Sequence, residues 1–97
     1  MPKVVTKKLK SKPYAQCCVN IINDKAIELV SYETVAATID ADGWLTILCL
    51  CSNTTRTHVS KFLEEYCPNV PYKMARRIYE KGMSVNVDTG DMRPVNG

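Results

Sequence analysis

From Gln16 to Cys51 apolar and polar residues alternate between two clusters of turn formers, and that pattern confines the first half of the chain to antiparallel strands. Cys17, Val19 and Ile21 fall on one side, Cys18, Asn20 and Ile22 on the other, and Asn23-Asp24-Lys25 supplies turn chemistry before Ala26 to Tyr32. This reads as a hairpin. Thr34 to Asp40 sets Val35, Ala37 and Ile39 against Thr34, Ala36 and Thr38, the period of a half-buried strand. Asp40-Ala41-Asp42-Gly43 then turns the chain into Trp44 to Cys51, which is apolar on both faces and so belongs inside a sheet.

Helical spacing takes over afterwards. Thr54 or Thr55 can accept the first free amide protons of a helix, and Val59, Phe62, Leu63 and Tyr66 then recur every three or four residues as one stripe. Cys67-Pro68-Asn69 breaks that helix, and Pro71 suits the first turn of another. Tyr72, Ala75, Ile78 and Tyr79 give this second helix an apolar side, Lys73, Arg76, Arg77 and Lys81 a basic one, and Gly82 ends it. The predicted fold class is α+β: an antiparallel sheet of about four strands followed by two helices packed on one face, with Met83 to Val87 alternating like a short C-terminal edge strand.

Charge divides the chain unevenly. Residues 1–23 hold five lysines (Lys3, Lys7, Lys8, Lys10 and Lys12) and no acid, while the other eight basic and ten acidic side chains sum to −2. The expected organisation is a basic N-terminal arm, residues 1–12, ahead of a single α+β domain, residues 13–97. Such an arm is either solvated or a contact to phosphate or an acidic protein surface. Lysines without interleaved arginines or aromatics support affinity for nucleic acid and not base reading. No apolar run is long enough to cross a bilayer, and residues 1–12 lack the apolar stretch of a secretory signal, so a cytoplasmic chain with reduced thiols and no membrane partner is expected.

The densest chemistry lies between Cys49 and Cys67, which includes the sole histidine, His58, and three of the five cysteines. Cys49 and Cys51, two apart on a strand, face the same way. From His58 to Cys67 is about 13 Å at helical rise, so a structural zinc held by Cys49, Cys51 and His58 is better completed by Cys17 or Cys18 from a neighbouring strand than by Cys67. The alternative is buried thiols with a packing histidine. A Cys51–His58 nucleophilic pair lacks an orienting acid or oxyanion hole in the sequence, the four glycines form no phosphate loop, and Asp40 and Asp42 read as turn formers. An enzyme is not expected.

Tyr32-Glu-Thr34-Val-Ala36, Gly43-Trp44-Leu-Thr46, Ser52-Asn-Thr54-Thr55-Arg-Thr-His58-Val, Tyr66 and Asn86-Val-Asp-Thr89-Gly90 together resemble a family of small proteins of bacteriophages and mobile elements. The resemblance covers about residues 27 to 90, and its most specific element is Ser-x-Thr-Thr-x-x-His. Thr34 runs directly into Val35-Ala36, one residue shorter than the family's Tyr-x-Thr-x-Val-Ala strand. The resemblance brings no catalytic residues. It implies a phage setting in the host bacterial cytoplasm, where small proteins without enzymatic motifs act as counter-defence factors such as anti-CRISPR inhibitors. The partner implied is a Cas effector nuclease complex, with weak nucleic-acid contact; the second helix is expected to meet it through Lys73, Arg76, Arg77 and Lys81, because four cations on one short exposed surface exceed what solubility requires. The alternative is a basic nucleic-acid-binding accessory protein.

Overall fold

Asn23 and Asp24 both carry positive φ, 54° and 60°, and the Lys25 amide donates to the Ile22 carbonyl at 3.1 Å. That is a tight turn with two left-handed central residues inside a three-residue connection, reached by the two residue types that tolerate left-handed backbone best after glycine. The computed structural model describes residues 3–10, 16–50 and 52–95. In it this turn joins β2 (Cys17–Ile22) to β3 (Ala26–Ser31). β4 (Thr34–Ile39) and β5 (Trp44–Ile47) follow, joined by a turn in which Asp40 Oδ1 accepts from the amides of Asp42 and Trp44 at 2.9 and 3.0 Å.

The sheet is larger than the sequence predicts. Among the described residues it has seven antiparallel strands in chain order, with β1 (Val4–Lys7) against β2, β6 (Met83–Asn86) against β5, and β7 (Met92–Pro94) outermost. The α+β class stands, but four strands followed by two helices does not. α1 (Asn53–Tyr66) and α2 (Tyr72–Lys81) are inserted between β5 and β6. Met83–Asn86 is therefore an internal strand and not the edge. β1 is hidden in sequence by the lysines around it, although Val4-Val5-Thr6 favours a strand and lysines suit an exposed edge. β7 is short, exposed throughout and ends in a proline, so it carries almost no periodic signal.

Two further expectations change. The β3–β4 register shifts between Leu29, opposite Ala37, and Val30, opposite Val35. The extra residue leaves both Ala36 and Ala37 buried, where strict alternation would expose one. Ser52, not Thr54 or Thr55, caps α1, its Oγ accepting from the Thr55 amide at 3.1 Å. This starts the helix earlier and moves His58 into its second turn. Pro71 precedes α2 as its cap residue, and Gly82 ends it in the left-handed conformation.

Period-two alternation gives the sheet two unlike faces. Val19, Leu29, Ala37 and Ile47 form one cross-strand row, and Ile39, Leu45 and Val85 extend another. These rows meet Val59, Phe62 and Leu63 of α1 and Ala75 and Ile78 of α2 in a common core. α1 lies over β3 and β4, α2 over β5 and β6. The opposite face carries an unbroken polar row, Thr6, Asn20, Glu28, Thr38, Thr46, Ser84 and Arg93, one residue from each strand. Asn20 links Thr6 and Glu28 by bonds of 2.7 and 2.9 Å, and the Thr46 and Ser84 hydroxyls meet at 2.7 Å.

Candidate functional site

His58 is buried where α1 crosses β3. Its Nδ1 lies 2.8 Å from Ser31 Oγ, which also meets Thr55 Oγ1 at 3.2 Å, and Ser52 Oγ donates to Thr55 Oγ1 at 3.0 Å. The chain of hydroxyls runs from the helix cap to the strand end. Tyr32 stands beside it, ring centroids 6.1 Å from His58, on a residue with φ of 58°. A serine against an imidazole is the geometry of an activated nucleophile, yet Ser31 and His58 are only 2% and 4% exposed. Here the pair ties helix to sheet.

The expected zinc ligands separate. Cys17 is buried opposite Ser31 and so flanks the hydroxyl that His58 contacts, while Cys18 alternates to the other sheet face and is half-buried. Cys67 is buried just past α1, where loss of hydration pushes its thiol up to about 12. Cys49 is disulfide-bonded, against the expectation of reduced thiols throughout. Cys51 lies outside the described residues. Among the described residues no three of His, Cys, Asp or Glu gather into a metal-holding group.

The expected partner-binding cations do share a surface. Ala75 and Ile78 face the core, and Lys73, Arg76, Arg77 and Lys81 are exposed along the rest of α2, with Glu80 the helix's sole acid. Glu80 Oε1 accepts from Arg76 Nε at 3.1 Å, a surface pair of small energetic weight. Arg76 also lines a cleft of about 500 Å³ between the two helices, together with Tyr72 and with Asn53, Arg56, Thr57 and Ser60 of α1. Sequence reasoning missed the α1 contribution. Its signal was present, because Asn53, Arg56, Thr57 and Ser60 repeat at three- and four-residue spacing beside the apolar stripe.

No helix among the described residues is long and apolar enough to cross a membrane. Neither a curated protein nor a solved structure matches the chain. Residues 5–81, from β1 through α2, match a family of unknown function, DUF8033, so the sheet, the buried Ser31–His58 link and the inter-helix cleft are features of a chain that belongs to that family.

Proposed function

We propose that this protein is a small non-catalytic binding module of a phage or mobile element, a counter-defence factor of the anti-CRISPR kind. It works in the host cytoplasm by docking on a Cas effector nuclease and blocking it. The observation that carries the reading is the segregation along α2, whose core side is Ala75 and Ile78 and whose outer side holds Lys73, Arg76, Arg77 and Lys81. Such a face suits an effector that displays guide-RNA phosphate and acidic patches. The charge of −2 outside the first 23 residues favours a protein-borne target over tight binding to free DNA. What supports the absence of turnover is the burial of Ser31 and His58, which keeps that pair from substrate. The phage setting itself rests on the sequence resemblance.

The test is capture of Cas effector complexes and naked DNA by the purified chain and by Arg76→Glu with Arg77→Glu. Effector binding that falls in the double variant at unchanged melting temperature, with feeble and salt-sensitive DNA binding, is expected. Unchanged effector binding in the variant moves the interface elsewhere. The second reading, a nucleic-acid accessory protein, draws support from the five lysines of residues 1–23, of which Lys7 belongs to β1. Strong sequence-independent DNA binding at physiological salt would select it.

A structural zinc belongs to the same proposal and requires Cys49 reduced in the zinc-bound chain; Cys17 and His58, which flank Ser31, support it. Elemental analysis of protein purified without added metal is expected to give about one zinc per chain, lost in His58→Ala. Metal-free protein of unchanged stability removes zinc from the account.

A further inference from the structure

The cleft between α1 and α2 has a chemical character distinct from the outer face of α2. Among the described residues six line it, Asn53, Arg56, Thr57, Ser60, Tyr72 and Arg76, and each can donate a hydrogen bond from its side chain. Of these six, two are cationic and none is acidic. Its volume of about 500 Å³ lies in the range of small-ligand sites. A second hollow of about 290 Å³ shares Ser60 and Tyr72 with it, and its walls add Leu63, Val70 and Pro71 together with Glu64, the one acidic side chain among them. The first hollow is therefore basic, the second mixes apolar walls with one carboxylate, and the Tyr72 ring belongs to both.

Arg56 is held in place before any ligand arrives. Its Nε donates to the Leu50 carbonyl at 3.0 Å and its Nη1 to Asn53 Oδ1 at 3.3 Å, which fixes the guanidinium plane and leaves other N–H groups to offer. Arg76 approaches from the opposite helix and spends its Nε on Glu80, a pair exposed on both sides and easily outcompeted by a dianion. Arginine forks match phosphate oxygens in pairs, and a tyrosine ring is a stacking platform for a base. We propose that this groove binds a nucleoside phosphate, with the phosphate between Arg56 and Arg76 and the base against Tyr72 toward the Val70–Pro71 end. The ligand chemistry is the same for a free mononucleotide and for the 5′-phosphorylated end of a single strand. This goes beyond the proposed docking function. Arg76 is shared by the two surfaces, whereas Arg56 and Tyr72 belong to the groove.

Calorimetric titration of the full chain with uridine and adenosine 5′-monophosphates, inorganic phosphate, and short oligonucleotides with and without a 5′-phosphate tests it. Saturable mononucleotide binding is expected, weakened about tenfold or more by Arg56→Gln and by Tyr72→Ala and retained in Lys73→Glu with Arg77→Glu. Inorganic phosphate alone should bind at least about tenfold more weakly, because it cannot use the ring. Tighter binding of the 5′-phosphorylated oligonucleotide than of the mononucleotide identifies a strand end as the source, and the reverse order identifies the free nucleotide. If Arg56→Gln does not fold, Arg76→Gln, an exposed position, carries the same expectation. No saturation up to about 10 mM nucleotide, or affinity indifferent to Arg56, Tyr72 and Arg76, overturns the proposal. Loss of effector capture in the Lys73/Arg77 variant with nucleotide binding intact separates the two surfaces.

Discussion

Ser31 Oγ and His58 Nδ1 are 2.8 Å apart across the junction of β3 and α1, both residues almost wholly buried. A polar bond at that depth fixes how the helix sits on the sheet more sharply than apolar packing does, because misplacing α1 would strand buried donors and acceptors. The same serine hydroxyl meets Thr55, so one atom joins two successive turns of α1 to the end of a strand.

Ser31→Ala removes both contacts and is expected to cost about 1–3 kcal/mol. In a chain this small each kcal/mol lowers the melting midpoint by roughly 4–8 °C. Thermal melts read by circular dichroism check it, and a midpoint within a degree of the parent would mean that the bond adds nothing.

Alkaline pH should weaken the fold through Cys67. Its folded thiol is pushed up to about 12 by burial from an ordinary value of 9.0. Below pH 9 the thiol is protonated whether folded or unfolded, so its contribution is complete there. Above pH 9 the unfolded thiol ionises first, and stability is lost as pH rises toward 12. Melting temperature compared between pH 8 and about pH 10.5 should fall less in Cys67→Ala than in the parent. An equal fall in both would assign the pH dependence to other groups.

Two glycines should respond unequally to alanine. Gly82 caps α2 with φ of 65° and has open space where a Cβ would sit, so Gly82→Ala costs only the left-handed backbone penalty of about 1–2 kcal/mol. Gly43 has φ of 89°, and an added Cβ would come within 3.0 Å of Asp88 Oδ2, so Gly43→Ala should destabilise more. Paired denaturant titrations decide the order, and a reversed ranking would show that the Asp40–Gly43 turn relaxes freely.

Arg93 lies over the ring of Trp44, 4.1 Å from its centroid, with Asp40 Oδ2 3.6 Å from its Nη2. Arg93→Ala should cost about 0.5–1 kcal/mol, as expected for an exposed cation–π contact. Trp44 is the sole tryptophan, so its emission reports the loss directly. Unaltered emission would mean that β7 does not hold the guanidinium there in solution.

The helical half and the central hairpin were legible because their signals are local. Asn23-Asp24 needs only its own backbone preference to form the turn, the α1 stripe of Val59, Phe62 and Leu63 only its spacing, and Gly82 only its missing Cβ. The basic side of α2 follows from the same periodicity, since a helix that buries Ala75 and Ile78 must expose Lys73, Arg76, Arg77 and Lys81.

Other features depended on partners distant in the chain. β6 forms a strand between β5 and β7 although the two-helix insertion separates it from β5, a pairing no local pattern encodes. β1 is stabilised by hydrogen bonds to β2 that offset the poor intrinsic signal of a lysine-rich segment. The bulge at Ala36 puts two successive alanines inside because the neighbouring register demands it. His58 stood out in sequence as a candidate ligand or a packing histidine, and its bond to Ser31 required the docking of α1 on β3. The sequence by itself determined which segments are helices and most of the strands, through residue spacing and turn chemistry; the tertiary structure alone decided strand count, the Ser31–His58 link and the meeting of Arg56 with Arg76, because each needs backbone or side chains brought together by burial of a shared core.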